Sequence, residues 1–140
     1  MTNAPHLSDF PARSHDKLRY GDTDRQGHVN NAVFATMYET GRIEMLLSHS
    51  EGVSLPDVSF VIARLSLDYR GEIFWPGTVE IGTAVKAVGN SSITFAQALF
   101  QNGKCVSTAE SVVVQVDNQT HRATPLSAEV REKLQGLISK

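Results

Sequence analysis

The chain predicts an α+β fold, an antiparallel five-stranded sheet wrapped around one long helix, and three observations carry that reading. A single hydrophobic helical stretch runs from Ala32 to about Leu47, directly after a polar loop. Four strand-like segments then follow one another, Phe60–Arg70, Thr78–Val88, Ile93–Phe100 and Cys105–Val116. Turn residues sit between the last three, and short turns join antiparallel neighbours.

Each element has a local reason. The residues before 15 read as a flexible arm, pinned by Leu7 and Phe10, and residues 15–140 as one domain. His15 to Tyr20 reads as a short first strand with Leu18 and Tyr20 on one side. Asn30 and Asn31 are good N-cap residues and place the helix start. Phe34, Tyr38, Gly41 and Met45 recur at helical spacing, with Ala35 and Leu46 widening the stripe. A glycine inside a helix costs up to about 1 kcal/mol against alanine, so Gly41 predicts a strand crossing close beneath. Gly52 can cap the far end.

Along 60–70, Val61, Ala63, Leu65, Leu67 and Tyr69 alternate with polar neighbours, the pattern of a half-buried strand. Val79, Ile81, Thr83 and Val85 share one side of the next. Asn102-Gly103 is a strong hairpin signal. Apolar residues on both faces of the last two strands (Val112, Val113, Val114) ask for cover, and a second subunit supplies it economically. Beyond Thr124-Pro125, the residues Val130, Leu134, Leu137 and Ile138 make the stripe of a short C-terminal helix.

The 140 residues suit one domain with one core. A formal charge of −2 and scattered basic residues argue against nucleic acid. No secretory signal pattern opens the chain, and no apolar run reaches membrane-spanning length, so a cytoplasmic protein is expected. Cys105 is the single cysteine. It reads as a small packing residue within a strand.

The densest chemistry lies in Arg19-Tyr20-Gly21-Asp22-Thr23-Asp24-Arg25-Gln26-Gly27-His28-Val29-Asn30-Asn31. A loop that ends at a helix start presents unpaired N–H donors, and a helix start favours negative charge. An acid beside such donors can serve as nucleophile or base while they hold a developing oxyanion, which suits attack on a carbonyl. Asp22 lies two residues from Asp24, on the opposite side of an extended stretch, and reads as structural. His28 is a candidate base or pocket residue. Asn30 is a helix cap with water positioning as its rival role. Glu39 and Arg42 can pair along the helix. A metal site from Asp22, Asp24 and His28 lacks a second set of ligands and is not expected. No serine nucleophile elbow is visible.

The string Asp22-Thr23-Asp24-x-x-Gly27-His28-Val29-Asn30-Asn31, followed by Phe34, Tyr38, Glu39, Arg42 and Glu44, resembles the signature of hot-dog-fold acyl-CoA thioesterases of the 4-hydroxybenzoyl-CoA thioesterase type. Phe60–Tyr69 and Pro76-Gly77-Thr78-Val79-Glu80 resemble that family's second and third strands. The resemblance implies a hot-dog fold, a homodimer or homotetramer with sites at the dimer interface, and hydrolysis of an acyl thioester to an acid and a thiol without metal or cofactor. It implies Asp24 as the catalytic carboxylate and the Asn31 backbone N–H as the donor to the thioester carbonyl. It raises Glu39 as a site residue. Arg64, Arg70 and Lys86 are candidates for coenzyme A phosphates. The His-Val-Asn-Asn form is closer to the long-chain acyl branch, acyl-carrier-protein thioesterases included. Two rivals on the same fold are a dehydratase or hydratase using Asp24 and His28, and a non-catalytic acyl-thioester-binding protein.

Overall fold

The protein is described from a computed structural model covering residues 4–48 and 57–138. Its elements are β1 (Ala12–Lys17), α1 (Asn31–Ser48), β2 (Val58–Tyr69), β3 (Thr78–Val88), β4 (Ser92–Gln101), β5 (Lys104–Asp117) and α2 (Ala128–Gln135), with single 3₁₀ turns at Leu7–Asp9 and Tyr20–Asp22. The five strands form one antiparallel sheet in the order β1-β3-β4-β5-β2, and α1 packs across one face of it. This is the α+β, hot-dog arrangement. Gly52 falls outside the described residues.

Asn30 caps α1 through its side chain, which accepts the Ala32 N–H at 2.9 Å. The buried stripe contains Phe34, Tyr38, Gly41, Met45 and Leu46, joined by Met37 and Arg42. At Gly41 the helix touches the sheet. A Cβ there would lie 2.6 Å from Ile81 Cγ2 and 2.9 Å from both Gln97 Nε2 and Thr83 Oγ1. The Gln97 amide donates to Tyr38 O and Thr83 Oγ1, each at 3.0 Å. Arg42 is buried beside it and reaches Gln97 Oε1 at 3.4 Å. Burial lowers the Arg42 pKa from its usual value, with Glu39 acting in the other direction. No Glu39–Arg42 ion pair forms among the described residues.

Two readings of the sequence need correction. The first strand is Ala12–Lys17, earlier than the His15–Tyr20 span, because Ala12 pairs with Thr83 and Lys17 with Thr78; Tyr20 instead opens a 3₁₀ turn. In β2 the alternation changes parity. Pairing skips Ala63 between Ile62 and Arg64, and such a bulge turns the following residues over. Phe60 and Ile62 therefore share the helix side with Leu65, Leu67 and Tyr69, while Val61 faces the other way.

The second apolar face of β4 and β5 is covered in part by the chain itself. Phe10 is buried on it, packed with Ala84, Ala98, Phe100 and Cys105, with Leu7 alongside. The Phe10 ring lies so close to Gly82 that a Cβ there would sit 2.5 Å from it. Thus the chain's own segment covers this end of the face. Val112 and Val114 farther along β5 stay only partly buried, and on the edge strand β2 Val61, Ile62 and Tyr69 are exposed. Cys105 belongs to the Phe10 cluster, and burial pushes its thiol pKa up, which suits packing rather than thiolate chemistry.

At the other end, α2 closes the core under Val85, Ile93, Phe95 and Val113 with Val130 and Leu134. Ser127 caps it, accepting the Val130 N–H at 3.2 Å. Asn102 and Gly103 both take positive φ, 53° and 78°, as a two-residue hairpin of this type requires.

Candidate functional site

The loop between β1 and α1 folds as a small hairpin in front of the helix. Thr23 bridges Val29, the Asp24 N–H donates to His28 O at 2.8 Å, and Gly27 at φ 86° turns the tip. Behind it, Asp22 is buried. Its carboxylate accepts the Arg19 N–H at 2.9 Å and the Arg19 guanidinium at 3.3 Å, and its carbonyl accepts the Asn30 N–H at 2.8 Å. Asp22 thus ties the loop to the helix entrance. Asp24 points out instead. It is exposed, with Oδ1 accepting the Gln26 N–H at 2.8 Å.

Asp24, His28, Val29, Asn31 and Phe34 line a cleft of about 320 Å³, closed on the other side by Tyr69, Arg70, Gly71 and Glu72. Asn31 is the first residue of α1, and its N–H makes no hydrogen bond among the described residues. The Tyr69 hydroxyl donates to Asn31 O at 3.0 Å, and the Tyr69 ring meets Phe34 edge-on at 4.9 Å. Both contacts hold the first helical turn against the end of β2. Phe34, which lines the cleft, is buried.

His28 bridges Phe74 through the backbone, and the two rings meet edge-on at 5.3 Å. Its Nδ1 lies 2.9 Å from Glu72 Oε1. A carboxylate at Nδ1 favours the proton on that nitrogen, which leaves Nε2 an acceptor in the neutral ring. Nothing near Glu72 in the sequence signals this contact. It arises because the chain after β2 returns to pair with residue 28, a long-range bridge invisible to local pattern.

The structure therefore brings Asp24, His28, Asn31 and Arg70 of the sequence-derived candidates to one cleft, with Asn30 capping the helix beside it. Glu39 is exposed on α1, eight residues and ~12 Å along the helix axis from Asn31, and does not line the cleft of its own chain. Arg64 and Lys86 lie on the outer face of the sheet. Lys86 Nζ is 2.6 Å from Glu110 Oε2, and this contact, with Arg64 adding, holds Glu110 below the usual carboxylate range. In one chain those two cations do not line the cleft. No group of three or more His, Cys, Asp or Glu side chains is placed to hold a metal among the described residues.

Comparison with known proteins bears directly on this arrangement. The chain is 29% identical over 117 residues to the acyl-CoA thioester hydrolase YbgC of Escherichia coli O6:H1, covering 79% of this chain and 87% of that one. The crystal structure of the PA5185 protein of Pseudomonas aeruginosa PAO1 superposes with a TM-score of 0.87 at 26% identity, over 97% of both chains. A Thermus thermophilus thioesterase solved with coenzyme A and zinc is 31% identical, with a TM-score of 0.80 over 92% of this chain and 95% of that one. The model of the thioesterase-like superfamily matches residues 18–134, from just before the Asp22–Asn31 loop into α2. The chain belongs to the thioesterase-like superfamily.

Proposed function

We propose that this thioester hydrolase cleaves acyl-coenzyme A thioesters to a free carboxylic acid and the thiol, with Asp24 as nucleophile or general base. The observation that carries the reading is that the Asp24 carboxylate and the unpartnered Asn31 N–H line the same cleft. A thioester carbonyl set there has a base on one side and a helix-start donor for its oxygen.

In the general-base course, Asp24 takes a proton from water and the hydroxide oxygen bonds to the carbonyl carbon. The Asn31 N–H holds the oxyanion. The C–S bond then breaks, and the sulfur leaves with its electron pair and is protonated. In the nucleophilic course, an Asp24 oxygen adds instead, expelling the thiolate and leaving a mixed anhydride that water hydrolyses. His28, its Nδ1 held by Glu72, presents Nε2 as an acceptor, so in the general-base course it can take up the proton that Asp24 draws from water and pass it to the departing sulfur. Arg70 offers the cleft a positive charge for the anionic substrate.

Exposed Val61, Ile62 and Tyr69 on the unpaired edge of β2 support a homodimer or homotetramer. A second chain there would cover the apolar strip beside the cleft. The site of action in this reading is the cytoplasm. Among the described residues, no helix is long and apolar enough to cross a membrane.

Thiol release measured over a panel of short, long-chain and aromatic acyl groups, each on coenzyme A and on acyl carrier protein, tests the reading. Crotonyl-thioester hydration without thiol release would instead indicate a hydratase. Binding with no turnover anywhere on the panel would indicate a non-catalytic acyl-thioester-binding protein. Single-turnover hydrolysis in ¹⁸O water establishes the nucleophilic course if label enters Asp24, because that requires an anhydride attacked by water at the Asp24 carbonyl.

A further inference from the structure

A group of aromatic side chains beside the cleft takes no part in carbonyl chemistry. Tyr20, Phe74 and Trp75 are 74%, 51% and 42% exposed, and Phe74 and Trp75 are neighbours in the chain. Phe74 meets His28 of the cleft edge-on, and Trp75 meets Tyr20 edge-on at 5.3 Å and 73°. We propose that Tyr20 and Trp75 form a stacking platform for the purine of the nucleotide end of coenzyme A. The proposal rests on the thioesterase reading of the cleft and narrows it, because it makes coenzyme A rather than acyl carrier protein the thiol.

The platform is held in place by a buried side chain. Gln101 accepts the Phe74 N–H at 3.0 Å and donates to Phe74 O at 2.8 Å, so one amide pairs both backbone groups of that residue. Two residues past Trp75, Gly77 O accepts the Leu18 N–H at 2.9 Å. The segment carrying the rings is thus bonded on either side of Trp75. Exposed rings fixed in this way bind a ligand with little ordering cost.

The shape of the cleft sends a long ligand in this direction. At about 320 Å³, with buried Phe34 in its wall, the cleft holds only part of a coenzyme A thioester, so the rest of the substrate runs out along the surface. Phe74 packs on His28 at the cleft wall, and the next residue of the chain, Trp75, pairs with Tyr20. Rings this exposed would leave an acyl chain in water, whereas a flat heteroaromatic base stacks on a half-exposed ring and keeps its polar edge solvated. A perpendicular ring pair leaves one of its faces open for such stacking.

Charge agrees. Arg19, adjacent to Tyr20, keeps its side chain 78% exposed while touching Asp22. Lys17 is exposed on β1, opposite Thr78 just past the Trp75–Gly77 turn. These two cations flank the platform where the phosphates of a nucleotide would lie.

Trp75 is the chain's only tryptophan, so its fluorescence reports on the platform in the unmodified protein. Titration with coenzyme A and with adenosine 3′,5′-bisphosphate should each give a saturable change, and pantetheine should give none. In steady-state assays with one acyl group carried on coenzyme A or on pantetheine, Trp75→Ala and Tyr20→Ala should lower the acyl-CoA to acyl-pantetheine ratio of kcat/KM by about 5- to 100-fold, the range of one base stacked on an aromatic ring. An unchanged ratio in both variants overturns the proposal, as does a silent Trp75 at coenzyme A concentrations that saturate hydrolysis. So does conversion of the Trp75→Ala oligomer to monomer, which would make the patch a subunit contact. If the wild-type chain hydrolyses neither thioester, the thioesterase reading fails, and the fluorescence titration still decides the platform.

Discussion

The start and the middle of one helix do opposite jobs. At its start, α1 has an unpartnered N–H at Asn31, exposed polar neighbours and open space in front. Almost three turns on, Gly41 touches Ile81, Thr83 and Gln97 with no room for a methyl group, and Arg42 and Gln97 form a buried polar contact beside it. Burying such groups costs free energy unless they are bonded. The difference teaches that the tight middle fixes the helix axis while the loose start faces the cleft. Substitutions at the start should therefore change turnover and leave stability alone, and substitutions in the middle should do the reverse.

The sharpest test contrasts Asp24 with Asp22. Asp24→Asn should lower kcat for thioester hydrolysis by about 10²- to 10⁴-fold with an unchanged melting curve. Asp22→Asn should cost far less activity and show its effect in the melt, because its carboxylate ties Arg19 to the loop. A dead Asp22→Asn enzyme beside a nearly normal Asp24→Asn enzyme would reverse the roles.

Next in size is the helix start. Asn31→Pro deletes the donor at a position where proline is tolerated, and should lose about 10²- to 10³-fold in kcat. Asn31→Ala keeps the N–H and should retain most activity. A folded proline variant as fast as the alanine variant rules out the oxyanion role.

In the middle of the helix, Gly41→Ala should destabilise by about 1–3 kcal/mol, since backbone and side chains must move to admit the methyl. Denaturant unfolding measures this, and kcat per folded molecule should stay near wild type. A stable but inactive Gly41→Ala protein would break the division of labour.

The smallest effect concerns Tyr38, whose hydroxyl donates to Ser107 Oγ at 2.6 Å beneath the helix. Burial pushes its pKa above the ordinary value near 10. Above pH ~10 the unfolded chain releases this proton while the folded chain keeps it. The contribution is therefore fully present below that pH and lost as pH rises. Tyr38→Phe should cost about 1 kcal/mol at neutral pH and unfold with a shallower decline between pH 9 and 11. Parallel pH curves for the two proteins would show that the phenol does not titrate on unfolding.

Much of the frame was legible because it is written in local chemistry. Asn30 as cap, Asn102-Gly103 as hairpin and Gly41 as a close crossing each follow from one residue's conformational properties. What escaped depends on partners distant in sequence. The parity change at Ala63 needs the pairing with β5, and the burial of Arg42 needs Gln97 from β4. The start of β1 is set by β3. At the site, the Asp22–Asn31 loop stood out through its density of polar residues and its place before a helix. Glu72, Tyr69 and Arg70 come from the far end of β2, and their convergence on residues 28 and 31 is a product of topology.

The contact of Phe10 with Gly82 and Phe100 has a kinetic consequence. Its partners lie on β3, β4 and β5, so the ring has nowhere to dock until the sheet has assembled. A contact closing so long a loop late in folding is nearly absent from the transition state. Phe10→Ala should then leave the refolding rate almost unchanged and speed unfolding by nearly the whole loss of stability. The segment before β1 works as a latch on a finished sheet, setting how long the folded molecule lasts rather than how fast it forms.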